Sequence, residues 1–507
     1  MNRWVAGFIL AAAIACALRF PQLESRPMHN DEAVNAIKFG ALWENGEYQY
    51  DPHEYHGPTL HYFSAALCKL TGAPEFEQLS ETRLRLLTAL AGVALILLLP
   101  LVGDGLGRSG VVGAAFFTAL SPMMVFFSRY WIHEMLLVLF TFLAISAAWR
   151  FIKKPTWTWA AITGMAIGLM QATKETFVFA IAAAAGAITL NWLWRKLSGP
   201  PVGRPQLPLK KLAAGIVIWL IVWATLFTSF FTHADGLLDS VRTYGAWLNL
   251  AGSESVHAHP WSFYFERLFW YHSPGKAFWS EGLILALAMV GGANAFRRGF
   301  SGEGSADFIR FLTFFTILLA AIYTVIPYKT PWCALGFLHG LILLAGAGAA
   351  TLWRAGANWT ARAAVIVVLA LGMAHLGWQA WRANFPLNAD RSNPWVYAHT
   401  SPDLLNLVEK VKAVTAAGEG DATLIKVMAT EGDYWPLPWS LREFDKIGWW
   451  DAVPEDPAAP IVIASPEMKL RLDAQRTHVM AGYFQLRPQV FLELYVELGL
   501  WEKYLKR

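Results

Sequence analysis

Met28-His29-Asn30-Asp31-Glu32-Ala33 places two adjacent carboxylates a few residues beyond an apolar run that extends from Arg3 to Phe20. An acidic, aromatic segment follows and closes on His56-Gly57-Pro58-Thr59-Leu60-His61-Tyr62. Charge held beside hydrocarbon is expensive, so a chain that keeps ionisable groups there usually uses them. Working outward from this stretch, the sequence becomes a succession of apolar windows.

Of 507 residues, 55% are hydrophobic and only 15% charged, with mean hydropathy +0.37. Soluble domains carry about 25% charged residues. Windows of about 20 apolar residues suffice to cross hydrocarbon. They lie near 4–20, 83–103, 109–127, 134–152, 157–173, 176–194, 212–231, 281–296, 308–327, 332–352 and 361–381, which predicts about 11 transmembrane helices. Many of the 25 tryptophans sit at the ends of these runs, where indole rings favour the membrane interface. The first run reads as an uncleaved span rather than a signal peptide, because the sequence after Cys16 stays apolar. Cys16, Cys68 and Cys333 form no CxxC pair, which argues against a disulfide framework or a structural zinc site.

Basic residues orient the chain. One set of loops carries Arg150, Lys153, Lys154, Arg195, Lys196, Arg204, Lys210, Lys211, Arg297, Arg298, Arg310, Arg354 and Arg362, whereas the opposite set carries Arg129, Lys174 and Lys329. The positive-inside rule places the first set and the N-terminus in the cytoplasm. An odd number of spans then puts the C-terminal region outside, in a cell inner membrane or plasma membrane. The first outer loop, Pro21 to Thr82, holds 10 acidic and 3 basic residues. Its stretch 59–72 is too short to cross and reads as an interfacial helix, and 232–280 reads as a long outer loop. Beyond about 382 the apolar runs shorten to strand length. Thr423–Ala429 and Pro460–Ala464 alternate with helical patterns at Pro402–Val414 and Pro466–Gln475, predicting a small α/β domain. The fold class is therefore a polytopic α-helical membrane protein, with a transmembrane domain over 1–381 and an extracytoplasmic α/β domain over 382–507.

Candidate chemistry gathers on the outer side. Asp31 and Glu32 suit a general base toward an acceptor hydroxyl or amine, or carboxylates that hold a divalent cation against a phosphate leaving group. The structural alternative is a helix start, with Asn30 or Asp31 as N-cap of an amphipathic helix running to Trp43. Ser128-Arg129-Tyr130-Trp131-Ile132-His133-Glu134 is the second cluster. Glu134 either meets the N-terminal dipole of an apolar helix or, with His133, faces Asp31 as acceptor or metal ligand. Arg129 suits a lipid phosphate, because guanidinium pairs with phosphate oxygens in bidentate fashion. Lys174, in Thr173-Lys174-Glu175-Thr176, and Lys329, in Tyr328-Lys329-Thr330-Pro331-Trp332, are candidate phosphate contacts. Lys174–Glu175 is otherwise a solvated pair and Lys329 an interfacial anchor. His53, His56 and His61 match no zinc spacing. Tyr55, His61 and Arg267, with His257, His259, Tyr271 and His272, are candidates for an acceptor path. These residues single out no cofactor beyond a divalent cation, for which Asp31, Glu134 and His133 are the candidates.

The order of these pieces resembles the GT-C glycosyltransferase superfamily, which includes protein O-mannosyltransferases and lipid A aminoarabinose transferases. The resemblance rests on Asp31-Glu32, His56-Gly57-Pro58-Thr59-Leu60-His61-Tyr62, Ser121-Pro122, Ser128-Arg129-Tyr130 with Glu134, and Gly164, Gly168 and Thr173-Lys174-Glu175. Tyr328-Lys329-Thr330-Pro331-Trp332-Cys333 is similar to a prokaryotic subgroup associated with flippase activity. The likeness covers roughly residues 1–350. The chain departs from better-known members at Gly57-Pro58, where they carry Pro-Pro, and at Glu134, where Asp is common. The resemblance implies a GT-C-like membrane fold and transfer, with inversion, from a polyprenyl-phosphate sugar to a glycan, lipid or protein acceptor. It also implies Asp31 as catalytic base and keeps His56 as a donor-phosphate contact. Membrane lipid is the expected surrounding and nucleic acid is not an expected partner. The alternative is a flippase-associated or transport component without transferase activity. Transporters place ionisable groups near the bilayer midplane on paired repeats, whereas here they cluster at one interface and no repeat is visible.

Overall fold

The computed structural model describes residues 3–53, 56–73, 75–198, 208–252, 257–300 and 302–507. Each of the 11 apolar windows is helical. Among the described residues, seven helices are long and apolar enough to cross a membrane, or eight if a bent pair counts as one span. Arg3–Arg19, Trp157–Gln171 and Gly282–Ala295 are shorter helices of 17, 15 and 14 residues.

The bent pair is Arg108–Leu120 and Pro122–Ser128, which meet at 62°. Pro122 begins the second piece, where its missing N–H is harmless and its fixed φ suits a helix start. A break inside a bundle strands backbone groups, and long-range side chains satisfy them. Arg19 donates to the carbonyls of Thr118 (2.8 Å) and Ala119 (3.3 Å). On the other side of the break, Glu281 accepts the Ser121 hydroxyl (2.6 Å) and the Met123 N–H (3.0 Å).

Pro331–Ala355 lies at the centre of the bundle, with 83% of its apolar window buried, whereas Leu209–Phe227 lies at the rim with 6%. Small residues permit the central contact. A Cβ on Gly348 would fall 1.9 Å from the Leu287 carbonyl oxygen of Gly282–Ala295, so only glycine allows these backbones to approach so closely.

The outer connections hold more helix than the sequence suggested. Asn30–Asn45 and Thr59–Leu70 match expectation. The segment read as a long loop over 232–280 instead contains helices Gly236–Gly252 and Phe263–Phe269.

After Trp359–Asn384 comes the α/β domain. Its strands are β1 (Ile425–Met428), β2 (Ile447–Trp450), β3 (Ile461–Ala464), β4 (His478–Arg487) and β5 (Val490–Glu497), in the order β2-β1-β3-β5-β4. β1 pairs in parallel with β2 and β3, and β5 runs antiparallel to β3 and β4. Every residue of β1 and β3 is buried, as expected for strands covered on both faces. Helix Asp403–Thr415 covers one face through Leu404, Leu407 and Val411. Pro466–Gln475, expected to be helical, forms only the short turn Pro466–Met468. The domain docks on the bundle through Trp439, whose indole N–H donates to Glu81 (2.7 Å), and Arg442, which donates to the Leu79 carbonyl.

Candidate active site

Helix Asn30–Asn45 separates its two leading carboxylates, since adjacent helical residues point about 100° apart. The Glu32 side chain is fully buried. Arg85 holds it through two contacts of 2.7 Å, and it accepts the Trp131 N–H (2.9 Å) and the His29 N–H (3.0 Å). Arg26 lies 3.6 Å away. Burial pushes the Glu32 carboxyl up, but Arg85 and Arg26 outweigh it and hold the group down at about 2. Asp31, with its side chain 44% exposed, faces a cavity instead. The N-cap is His29, one residue earlier than expected; its ring accepts the Asp31 N–H.

The second wall comes from the break between Trp157–Gln171 and Phe177–Ser198. Gly57 and Thr59 donate their amides to the carbonyls of Thr173 (3.1 Å) and Ala172 (3.0 Å). A Cβ at Gly57 would fall 2.2 Å from the Ala172 oxygen, so glycine is what lets the first loop reach this break. Two distant motifs are thereby joined. His56 Nδ1 lies 2.8 Å from Glu175, whose other oxygen accepts the Tyr50 hydroxyl at 3.3 Å. Burial raises the Glu175 carboxyl, but His56 more than offsets that and keeps it below the usual range. Lys174 pairs with Glu134, the first residue of helix Glu134–Lys153, and this pair lifts the Lys174 ammonium above its ordinary value despite burial.

These walls enclose a cavity of about 620 Å³. Asp31, Glu134, Lys174, His56 and His133 all border it, together with Glu175, Tyr244, Trp247, Tyr328 and Trp332. Val178, Phe179 and Ile326 supply an apolar side. The Trp247 ring stacks on His56 at 4.9 Å. A small apolar recess of about 30 Å³, lined by Leu137, Val138, Ala180 and Leu319, continues beyond the Glu134–Lys174 pair.

Other expected site residues lie elsewhere. Glu32 is committed to Arg85, as described, and does not reach the cavity. Arg129 is committed to backbone: its guanidinium donates to the carbonyls of Leu18, Arg19, Pro21 and Gln22 and lies over the Phe385 ring. Lys329 turns away, donating to the carbonyls of His259 (3.0 Å) and Ile326 (2.5 Å). His61 is buried among Tyr48, Trp131 and His133, and Arg267 stacks on Phe263 at 3.7 Å. Tyr55 lies outside the described residues. The divalent-cation set also fits poorly. Glu134 is taken by Lys174, His133 Nε2 lies 3.0 Å from the Gly57 carbonyl, and among the described residues no three His, Cys, Asp or Glu side chains form a metal-holding group.

Sequence reading missed Glu175 as a wall residue and His29 as the cap, though each adjoins a residue that it singled out. Tyr244 and Trp247 were hidden in the segment read as loop.

Comparison with solved structures decides the architecture. ArnT from Cupriavidus metallidurans bound to undecaprenyl phosphate superposes with a TM-score of 0.62 at 14% identity, over 96% of this chain and 97% of that one. The chain has the GT-C fold. Two further GT-C structures agree. The oligosaccharyltransferase of Archaeoglobus fulgidus, tethered with an acceptor peptide, matches at TM-score 0.57 and 13% identity, over 99% of this chain and 76% of that one. Arabinofuranosyltransferase AftD from Mycobacteria matches at 0.52 and 16%, over 98% of this chain and 40% of its own. By sequence, residues 9–237 match the family of dolichyl-phosphate-mannose-protein mannosyltransferases. No curated protein matches the chain significantly. The matched stretch contains the Asp31 helix, the Gly57 turn and the Lys174 break, and ends before the side of the cavity formed by Tyr244, Trp247, Tyr328 and Trp332.

Proposed function

We propose that this multi-pass membrane protein is an inverting glycosyltransferase that moves a sugar from a polyprenyl-phosphate donor to an acceptor hydroxyl or amine, with Asp31 as general base. One observation carries the reading: an accessible carboxylate, Asp31, and a buried cation, Lys174, face the same cavity from different walls. The acceptor oxygen or nitrogen attacks the anomeric carbon and the bond from that carbon to the phosphate oxygen breaks. The bonding pair leaves with the polyprenyl phosphate, and the acceptor proton passes to Asp31. Lys174, kept charged and fixed by Glu134, faces the phosphate, and His56 flanks it. Val178, Phe179 and Ile326 offer apolar surface to the first isoprene units.

Support for a lipid-linked donor comes from fold relatives solved with undecaprenyl phosphate and with dolichol-phosphate. The family match makes mannose the first sugar to try. The distribution of basic residues supports a cavity on the outer face, where sugar nucleotides are absent and a lipid carrier must supply the sugar. The test is full-length protein in nanodiscs with radiolabelled polyprenyl-phosphate mannose. Release of label to an acceptor or to water is expected. Movement of intact donor between leaflets without cleavage would favour the transport reading instead.

A further inference from the structure

We infer that the segment Trp395–Thr400, which joins the last apolar helix to the C-terminal domain, is a strap that positions Asp31 through His29. The inference rests on the transferase reading above and adds residues that reading does not use.

The His29 ring has two partners on opposite edges. Nδ1 accepts the Asp31 N–H at 3.0 Å, and Nε2 lies 3.2 Å from the Tyr397 carbonyl. A ring nitrogen that accepts carries no proton, so the proton sits on Nε2 and is donated to Tyr397. One rigid imidazole therefore links the strap to the first turn of the Asp31 helix. It also lies 3.7 Å from the Asp31 carboxylate. Tyr130, Trp332 and His399 hold the ring edge-on at 5.3, 5.9 and 5.0 Å. Burial pushes the His29 ring down and outweighs the pull of Asp31 and Glu32, which keeps it in the neutral, accepting form. A second tie lies beside it, where the Thr400 hydroxyl donates to the Met28 carbonyl at 2.6 Å.

The strap also grips the far rim of the cavity. The Tyr397 hydroxyl lies 2.7 Å from His257 Nδ1 and 2.8 Å from His259 Nε2. The backbone of those histidines is bonded to the Tyr328 segment: Lys329 N–H donates to the His257 carbonyl (2.9 Å) and His259 N–H to the Pro327 carbonyl (3.1 Å). Six residues of strap thus connect the helix carrying Asp31 with the segment carrying Tyr328, and both line the cavity. Displacing a reacting group by about 1 Å can lower a rate about 100-fold, so a link at this place governs turnover without touching substrate.

Two measurements on the full chain in nanodiscs test this. In hydrogen–deuterium exchange, Tyr397→Ala keeps the carbonyl bonded to His29 but releases the strap from His257, His259 and Trp332; it should speed exchange of the peptide spanning 28–36 several-fold while the bundle core is unchanged, and unchanged exchange there overturns the strap. Tyr397→Phe, which removes only the two imidazole contacts, serves if the alanine variant unfolds, and should show the same change more weakly. In turnover of polyprenyl-phosphate mannose, His29→Asn keeps a capping acceptor but cannot span to Tyr397. It should lose about 10- to 100-fold with undecaprenyl phosphate affinity preserved, and lose nothing further when combined with Asp31→Asn. Multiplying losses in the double variant would overturn action through Asp31. A wild type inert toward the probe contradicts the transferase reading alone, and the exchange result still decides the strap.

Discussion

Lys174, in the break between two apolar helices, pairs with Glu134 at the first turn of a third, 40 positions away in sequence. Both side chains are more than nine-tenths buried, so each would be a costly isolated charge. Removing one partner of a buried pair costs about 3–5 kcal/mol, whereas replacing both with apolar groups is often near neutral. Lys174→Met should therefore lower the thermal unfolding temperature sharply, and Lys174→Met with Glu134→Leu should recover most of it. The double variant should still fail to bind undecaprenyl phosphate, which separates the stability role of the pair from its role toward donor.

Glu32 and Asp31 should behave oppositely despite being neighbours. Glu32→Gln leaves the Arg85 guanidinium buried without its counter-charge, a loss of about 3–5 kcal/mol. Asp31→Asn, at an exposed position, should stay within about 0.5 kcal/mol. Thermal unfolding of the two variants side by side checks this.

Stability should also depend on acid through Glu32. Its folded carboxyl sits near 2, below an ordinary value of 4.5. The stabilisation is then fully present above about pH 5 and is lost as pH falls toward 2, with a total of about 3 kcal/mol. The unfolding temperature of the wild type should fall across that window, and Glu32→Gln should flatten this part of the curve. Equal slopes for both proteins would contradict the assignment.

Gly57→Ala tests the junction between the first loop and the Lys174 break. Its methyl group would collide with the Ala172 carbonyl, so the turn must move and carry His56 away from Glu175. A loss of about 1–3 kcal/mol in stability is expected, together with a fall in turnover of more than about 10-fold.

What the sequence disclosed, and what it hid, follows from the range of the interactions. Spans were legible because each apolar window carries its own signal, but the 62° break at Ser121-Pro122 lies inside a window that reads as one continuous span. The motifs around Asp31, His56, Glu134 and Lys174 were legible as charge that apolar surroundings would not otherwise tolerate. The direction of each side chain was not. Asp31 and Glu32 differ only in which face of one helix they occupy, and Arg85, which claims Glu32, lies inside an apolar window 53 positions on. Arg129 looks like a phosphate ligand until the carbonyls of Leu18 to Gln22 are seen around it, and Lys329 is likewise absorbed by the backbone. In the C-terminal domain, β1 and β3 stood out as short apolar runs. The hairpin of β4 and β5 turns at Pro488-Gln489 without an Asn-Gly or Asp-Gly signal, and so escaped notice.

The most direct measurement is turnover of labelled polyprenyl-phosphate mannose by Asp31→Asn in nanodiscs, with undecaprenyl phosphate binding and thermal unfolding followed on the same sample. The change keeps size and removes the base, so turnover should fall by about 10²–10⁴-fold while donor-lipid binding and stability hold. Turnover close to wild type in a folded, lipid-binding Asp31→Asn protein would contradict the account.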